Sequence, residues 1–396
     1  MPASTAPELL RDHRVNAAAP VVAYGDRSVF RVPGHVHALG AERVLLVCGR
    51  KSFEASGAAA MLPDLESVAT VQRWSDFAPN TDAANLKSGL EVMQEFEPDV
   101  VIGVGGGSAL DMAKLLCGFR DVAQDDVLGS IRSGFKTATR HERLVLVPTT
   151  SGSGAEATHF AVVYIGDDKY SIGGGAMRPD VIALDPTLAV TGSPYQRATS
   201  GIDAVSQAIE SLWAVSATDR SRRFAKTALR VLMPAIERFV NDPDAESARA
   251  MCIGSHYAGR AIDISRTTAA HALSYGITKK YGISHGHAVG LTLGAFLEAH
   301  ARPDADRLSP QVDRAAYADA LADVLAALGA GTGREARTEF RLLMERIGLD
   351  PSLTAAGSAT TAQRASLATS VNVERLLNNP VVFTATDLTN LLSGLD

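Results

Sequence analysis

Four short runs rich in β-branched residues alternate with helix-patterned stretches up to residue 150, and the alternation is gone by residue 200. RVLLVCG (43–49), VATVQRW (68–74), DVVIGVG (99–105) and RLVLVPT (143–149) are almost continuously apolar. Strands read that way when both of their faces are covered, as in a parallel sheet wrapped by helices. ANLKSGLEVMQEF carries apolar residues at spacings of three and four and predicts a helix between two of them. AVVYIGDDKYSI predicts a hairpin turning at Gly166-Asp167-Asp168. Beyond Pro186 the strand signals fade, and from about residue 195 the pattern is Ala/Leu-rich and helical, with stops at Gly282, Pro303, Gly329 and Pro351. Gly192-Ser193-Pro194 is the best boundary. The expected fold class is α/β followed by all-α, with an N-terminal α/β domain over residues 1–192 and a helical domain over residues 193–396. The active site is expected in the cleft between them.

Composition narrows the functions open to such a chain. Of its 396 residues 46% are apolar and 21% charged, the balance of an ordinary globular protein. A net charge of −6 without a basic block argues against a nucleic-acid partner. Cys48, Cys117 and Cys252 are far apart and lack metal or redox spacing, so they read as buried thiols in a reducing compartment. MPASTAPELLRDHRV has no apolar core segment, and no run of 18 apolar residues occurs, so neither a signal peptide nor a membrane span is expected. A cytoplasmic location is the expectation.

Two segments carry chemistry. In GIDAVSQAIESLW, Asp203 and Gln207 are four residues apart and share a helix face; in HALSYGITKKYGISHG, His271 and His285 flank a break at Gly282. Two imidazoles, a carboxylate and an amide oxygen form a mixed N/O set suited to Fe(II), Zn or Mn. Two buried structural histidines beside an ordinary helix would give the same spacing. The second segment, GVGGGSALDMAK, follows a strand and opens a helix. Gly105, Gly106 and Gly107 let backbone N–H groups approach a phosphate, and Ser108 sits where an N-cap hydroxyl would. Many strand-to-helix turns use glycine for geometry alone, and this one follows the third predicted strand rather than the first.

GVGGGSALDMAK, PTTSGSGAEAT (148–158), GIDAVSQAIES and HALSYGITKKYGISHG occur in that order. Together they resemble the iron-containing, group III alcohol dehydrogenase family over roughly residues 20–396, including the closing NNPVVFTATDLTNLL. The resemblance implies a Rossmann-like nucleotide-binding domain joined to a helical metal-binding domain, and hydride transfer between a nicotinamide and a carbonyl carbon. It implies a pyrophosphate cradle at Gly105, Gly106, Gly107 and Ser108, with Asn80, Asp111, Thr149 and Thr150 on the cofactor side. Lys114 also matches the motif, although a solvated Asp111–Lys114 pair is the plainer reading. Where many relatives have Asp after the first strand, Gly49-Arg50-Lys51-Ser52 offers two cations and a hydroxyl, which suits the 2′-phosphate of NADPH over NADH. Solvated loop charges are the alternative there.

The resemblance further puts the metal ligands at Asp203, Gln207, His271 and His285, with Gln207 where the family usually has histidine. Gln207 then either ligates through its amide oxygen or only orients a water. Tyr275 stands where many relatives have another histidine, and His287 is a second candidate for the proton relay, with capping or a surface role as its alternative. Dehydroquinate-synthase-like cyclases share the architecture, and a metal-free binding protein is the other competing class. Relatives are commonly dimers or larger, so a homo-oligomer is expected.

Within the family, THFAVVYIGDDKYSI, GIDAVSQAIESLWAVSAT and ISRTTAAHALSYGIT most resemble the phosphonoacetaldehyde reductase branch of phosphonate natural-product pathways. Thr267, His271, Tyr275 and Thr278 recur at four and three residues and predict one polar stripe. Arg266, Thr267 and Thr268, with His159 and Lys169 from the hairpin, are the candidate anchors for a phosphonate. A general short-chain aldehyde reductase without an anion anchor is the runner-up.

Overall fold

A computed structural model describes residues 19–137, 140–301, 303, 306–357, 360–369, 371 and 376–395. They form two compact units. One runs to Thr150 and resumes over Ala155–Gly192; the other joins Ser151–Gly154 to the chain from Ser193 onward.

The first unit is built on a parallel sheet of six strands: β1 (Val21–Tyr24), β2 (Arg43–Cys48), β3 (Thr70–Trp74), β4 (Val100–Gly105), β5 (Arg143–Pro148) and β8 (Val181–Leu184), in the order β1-β8-β5-β4-β2-β3. The four runs read from the sequence are β2 to β5; β1 and β8 are additional. Successive residues of the central strands point to opposite faces, and both faces are buried. Leu45, Val47, Val101, Leu144 and Leu146 pack under helices α1 (Ala83–Phe96) and α2 (Gly107–Phe119). Val44, Leu46, Ile102, Val104, Val145 and Val147 pack under Val32, Phe53 and Met61. β6 (Phe160–Ile165) and β7 (Asp168–Gly173) form the expected hairpin, with Ile165 opposite Asp168 and Gly166 in the turn at φ 60°.

The order of pairing fixes where a ligand sits in this unit. After β3 the chain returns to the other side of β2, so β4 and β2 flank the switch point of the sheet, and their C-terminal ends open a crevice there. Gly49–Ser52 leaves the end of β2, and Gly105–Gly107 leaves the end of β4.

The second unit is helical: α3 (Pro194–Trp213), α4 (Asp219–Asn241), α5 (Ala245–Ser265), α6 (Ala269–Tyr281), α7 (His285–Ala301), α8 (Arg314–Ala327), α9 (Gly333–Arg346), α10 (Thr361–Thr369) and α11 (Ala385–Ser393). Local chemistry starts and stops them. Ser193 and Gln196 make a reciprocal capping box on α3, with Pro194 at its first position. Gly282 and Gly329 follow the ends of α6 and α8 with φ of 68° and 66°. From Arg197 to Trp213 almost every residue of α3 is buried, because α4, α5 and α7 cover it. Among the described residues no helix is long and apolar enough to cross a membrane.

Candidate metal centre

Asp203, Gln207 and Glu210 fall at i, i+4 and i+7 of α3 and therefore on one face. That face meets the start of α6, which carries His271, and the first residue of α7, His285. The close approach of α7 explains its glycine: a Cβ on Gly286 would lie 2.0 Å from the Thr199 carbonyl oxygen and 2.9 Å from the Asp203 Cβ. One ligand atom each from Asp203, His271 and His285 lies within 4.8 Å of the others. His271 Nε2 is 3.3 Å from Asp203 Oδ1.

Partners around the set decide which atoms face the shared point. Gln207 Nε2 donates to Asp203 Oδ2 at 3.1 Å and to the Ser153 carbonyl at 3.3 Å, which turns Oε1 the other way. Ser274 Oγ donates its single hydrogen to the His271 carbonyl at 2.7 Å. His285 Nδ1, 3.2 Å from the same oxygen, is thus the donor in that contact, and the ring's lone pair is on Nε2. Glu210 Oε2 takes the hydrogen of His271 Nδ1, which leaves the His271 lone pair on Nε2 as well. The two rings are 5.4 Å apart at 71°, and Tyr275 stacks on His285 at 5.5 Å and 11°.

The donor set fits a divalent cation. Gln207 Oε1 and His271 Nε2 are both buried and neither has a hydrogen-bond partner among the described residues, a costly arrangement in a native interior. A cation accepting lone pairs from two imidazoles, a carboxylate and an amide oxygen would satisfy both. The electrostatics agree. Burial pulls the His271 imidazole towards its neutral form, but Glu210 and Asp203 outweigh it and push the group up to about 9. The pocket favours a positive charge, and without a metal a proton supplies it.

Glu210 escaped the sequence reading. It is fully buried. Besides His271 Nδ1 it accepts, on Oε1, the Thr268 hydroxyl at 2.6 Å and the backbone N–H groups of Thr268, Ala270 and His271 at 3.1, 3.1 and 3.4 Å. The signal available was its place at i+7 from Asp203 among Ala204, Val205, Ala208 and Ile209.

Other predicted residues of this unit fare differently. The Thr268 hydroxyl donates to Glu210 and accepts from Trp213 Nε1 at 3.1 Å, so it is a structural bridge and not a substrate anchor. Thr267 gives its carbonyl to Asn378 Nδ2 and lies half-buried ahead of α6 rather than within it. Arg266 ends α5 at φ 58° and ψ −179°, a conformation non-glycine residues rarely adopt. His287 accepts from the Tyr195 hydroxyl at Nδ1 (3.3 Å) and donates from Nε2 to the Asp350 carbonyl (2.8 Å). The ring thus links the Tyr195 hydroxyl to the Asp350 carbonyl.

In the first unit the glycine turn is assembled much as its sequence suggests. Gly105 has φ 153°, closed to ordinary side chains, and Thr149 N–H donates to its carbonyl at 2.9 Å. A Cβ on Gly106 would meet the Thr150 side chain at 3.5 Å. Gly106, not Ser108, is the N-cap of α2; Ser108 lies in the first turn, and its hydroxyl accepts the Asn80 N–H at 3.1 Å. Asp111 and Lys114 are not a solvated pair. Lys114 is fully buried and donates to Thr158 Oγ1 at 2.8 Å, the Phe160 carbonyl at 3.0 Å and the Ala155 carbonyl. Asp111 accepts the Val162 N–H at 3.0 Å, and burial pushes its carboxyl above the usual range. The two tie α2 to the hairpin strand β6. Arg50 reaches Asp76 and the Ser75 carbonyl on the exposed rim, beside Lys51. Lys169 is half-buried on β7, and the His159 ring packs edge-on to Phe160.

The sequence model of the iron-containing alcohol dehydrogenase family matches residues 19–186, and that of the C-terminal part of the Fe-containing alcohol dehydrogenase family matches residues 197–395. Phosphonoacetaldehyde reductase of Streptomyces viridochromogenes is 33% identical over 273 residues, which are 65% of this chain and 67% of that protein. The 1-propanol dehydrogenase of Citrobacter freundii is 32% identical over 232 residues, 58% of this chain and 59% of that one. An aldehyde-alcohol dehydrogenase of Streptococcus pneumoniae is 28% identical, over 64% of this chain and only 30% of its own length. Among solved structures, sulfoacetaldehyde reductase from Bifidobacterium kashiwanohense in complex with NAD+ has a TM-score of 0.84 at 24% identity, covering 95% of this chain and 96% of that one. A 1,3-propanediol oxidoreductase has a TM-score of 0.83 at 22% identity, covering 95% and 98%. At such identities the likeness is one of fold. Two family segments that between them run from residue 19 to residue 395 make this chain a member of the iron-containing alcohol dehydrogenase family of oxidoreductases.

Proposed function

We propose that the protein reduces phosphonoacetaldehyde to 2-hydroxyethylphosphonate, using a nicotinamide cofactor and a divalent cation, Fe(II) before Zn or Mn. The observation that carries the reading is the convergence of Asp203, Gln207, His271 and His285 around two buried side-chain atoms, Gln207 Oε1 and His271 Nε2, that have no hydrogen-bond partner among the described residues. The reaction adds a hydride from the reduced nicotinamide to the carbonyl carbon and a proton to the carbonyl oxygen; a cation held by Asp203, Gln207, His271 and His285 would supply Lewis-acid stabilisation of the charge developing on that oxygen. The side chains do the rest. Tyr275, one turn beyond His271 and stacked on His285, delivers the proton from its Oη. Gly105, Gly106, Gly107 and Ser108, at the N-terminus of α2, hold the cofactor pyrophosphate, helped by Thr149, Thr150 and Asn80.

The anionic end of the substrate falls to Arg266, with Thr267 beside it. The phosphonoacetaldehyde reductase relative supports an acetaldehyde bearing a tetrahedral oxyanion. The backbone of Arg266 supports it too, since a non-glycine residue held there costs about 1–3 kcal/mol, a strain found mainly where a side chain must be aimed. Arg50 and Lys51 favour NADPH. A 2′-phosphate would displace Asp76 from Arg50, an exposed pair worth at most about 1 kcal/mol.

Steady-state kinetics on phosphonoacetaldehyde and propanal, with each cofactor, test the reading. Arg266→Ala is expected to raise KM for the phosphonate roughly 10- to 100-fold, the worth of a hydrogen bond to a charged group, and to leave propanal alone. Equal efficiency of the unsubstituted enzyme on both aldehydes sinks the anchor and leaves the general reductase, the reading favoured by the 1-propanol dehydrogenase relative. A tenfold preference for NADH, by kcat/KM, sinks the assignment of Arg50, on the order of 1.4 kcal/mol.

A further inference from the structure

We propose that Glu210 is the positioning residue of the metal centre: it fixes the tautomer of His271 and ties that ring to the N-terminus of its own helix. The inference rests on the reading of residues 203, 207, 271 and 285 as a cation site.

The two carboxylate oxygens of Glu210 have different partners. Oε1 collects the Thr268 hydroxyl and three backbone N–H groups from the first turn of α6, which lack intrahelical partners. A fourth, the N–H of Ala269, goes to Asn379 Oδ1 at 3.4 Å. Oε2 is left for one contact, the His271 Nδ1 hydrogen. Because α3 carries both Glu210 and Asp203, a single helix holds the imidazole at Nδ1 and places a carboxylate oxygen 3.3 Å from its Nε2. Trp213 Nε1, also on α3, donates to Thr268 Oγ1 at 3.1 Å and orients the hydroxyl that Glu210 receives. A group that only capped α6 would need Oε1 alone. The second oxygen sets the tautomer of the ring, since a carboxylate can only accept: Nδ1 must carry the hydrogen, and the lone pair is left on Nε2.

Glu210→Gln separates the two duties. The amide oxygen can keep the contacts of Oε1, but the amide NH2 now faces Nδ1 and donates to it. The ring hydrogen moves to Nε2, the atom that faces Asp203, and a cation is shut out there. Co(II) is the probe, titrated into metal-free protein and followed by its visible absorption. Glu210→Gln is expected to remain folded by circular dichroism and to bind Co(II) roughly 10- to 100-fold more weakly, as losses of such outer partners do. Glu210→Asp keeps an acceptor and is expected to recover part of the affinity. Asn379→Ala removes the neighbouring cap without touching the ring, and is expected to lower the melting temperature while keeping the Co(II) constant. If Glu210→Gln binds Co(II) within threefold of the unsubstituted protein, on the order of 0.6 kcal/mol, the proposal is overturned. Nitrogen NMR of the neutral ring gives a readout independent of metal: hydrogen on Nδ1 in the unsubstituted protein, on Nε2 in Glu210→Gln. The same tautomer in both overturns the proposal. Failure of the unsubstituted protein to bind Co(II) overturns the cation site instead, and the NMR comparison still decides Glu210.

Discussion

Stripped of metal, the second unit should lose stability as the pH rises through 9, the reverse of what a protein rich in paired carboxylates does on acidification. The group responsible is His271. Its imidazole goes from 6.5 to about 9 in the folded protein, against the pull of burial, because Glu210 and Asp203 flank its two nitrogens. A folded value above the unfolded one means that the native state binds the extra proton. The stabilisation is complete below pH 6.5 and disappears as the pH climbs to about 9. At about 1.4 kcal/mol per tenfold this amounts to about 3 kcal/mol, since the ring is buried and little screened by water. For a unit of about 200 residues, that corresponds to a melting temperature lower by about 6–12 °C. The assay is thermal unfolding of chelated protein at pH 6.5, 8 and 9.5, followed by circular dichroism. A bound cation replaces the proton, so the metal-loaded protein should show much less of this slope. Asp203→Asn removes one of the two charges and should flatten the chelated curve as well. If chelated protein is as stable at pH 9.5 as at pH 6.5, the pocket does not demand a positive charge, and the electrostatic case for a cation there fails.

Acid should act through a different histidine. Burial pushes His300 down to about 3 from 6.5, so the unfolded chain takes up a proton that the folded one refuses, and stability should fall as the pH drops below 6.5. Histidine NMR at pH 5 should find this ring still neutral; a protonated ring refutes the assignment. Gly286→Ala should cost about 1–3 kcal/mol and weaken Co(II) binding, because its Cβ meets the Thr199 carbonyl at 2.0 Å. Gly294→Ala, on the same helix with no neighbour nearer than 3.7 Å, should be neutral or stabilising, and equal melting temperatures for the two variants would contradict the packing argument. Gln207→His exchanges an amide oxygen for an imidazole nitrogen and should tighten Co(II) binding by roughly tenfold; an unchanged constant means that Oε1 does not face the cation.

The sequence made the centre of the sheet readable and left its β1–β8 edge dark. β2, β4 and β5 are buried on both faces and had to be apolar throughout, so composition alone gave them away. β1 and β8 have four residues each, too few for any period to register. They become strands by pairing with each other, Val21 beside Val181, across a gap in sequence that no local pattern spans. Asp111 and Lys114 misled for a related reason. Three apart on a helix they resemble a solvent-exposed pair, but α2 lies between the sheet and the hairpin, and the lysine supplies donors to carbonyls that the hairpin's entry leaves over.

The metal centre divides along the same line. The convergence of Asp203, His271 and His285 could be anticipated because a helix converts i,i+4 spacing into a shared face and Gly282 ends the helix that carries His271. What orients those ligands could not, because each device joins residues distant in sequence: Glu210 with His271, Gln207 with Ser153, His285 with Ser274. A lone acid in an amphipathic helix reads as solvated until something shows that its face is buried. Thr268 reads as a candidate phosphonate anchor until its hydroxyl is found between Glu210 and Trp213. The same physics explains how Gln207 can replace a histidine. Its Nε2 is anchored to Asp203 and the Ser153 carbonyl, which fixes the direction of its oxygen. A neutral side chain replacing a neutral imidazole leaves the formal charge of the pocket unchanged, and the pull on a cation remains with Asp203 and Glu210.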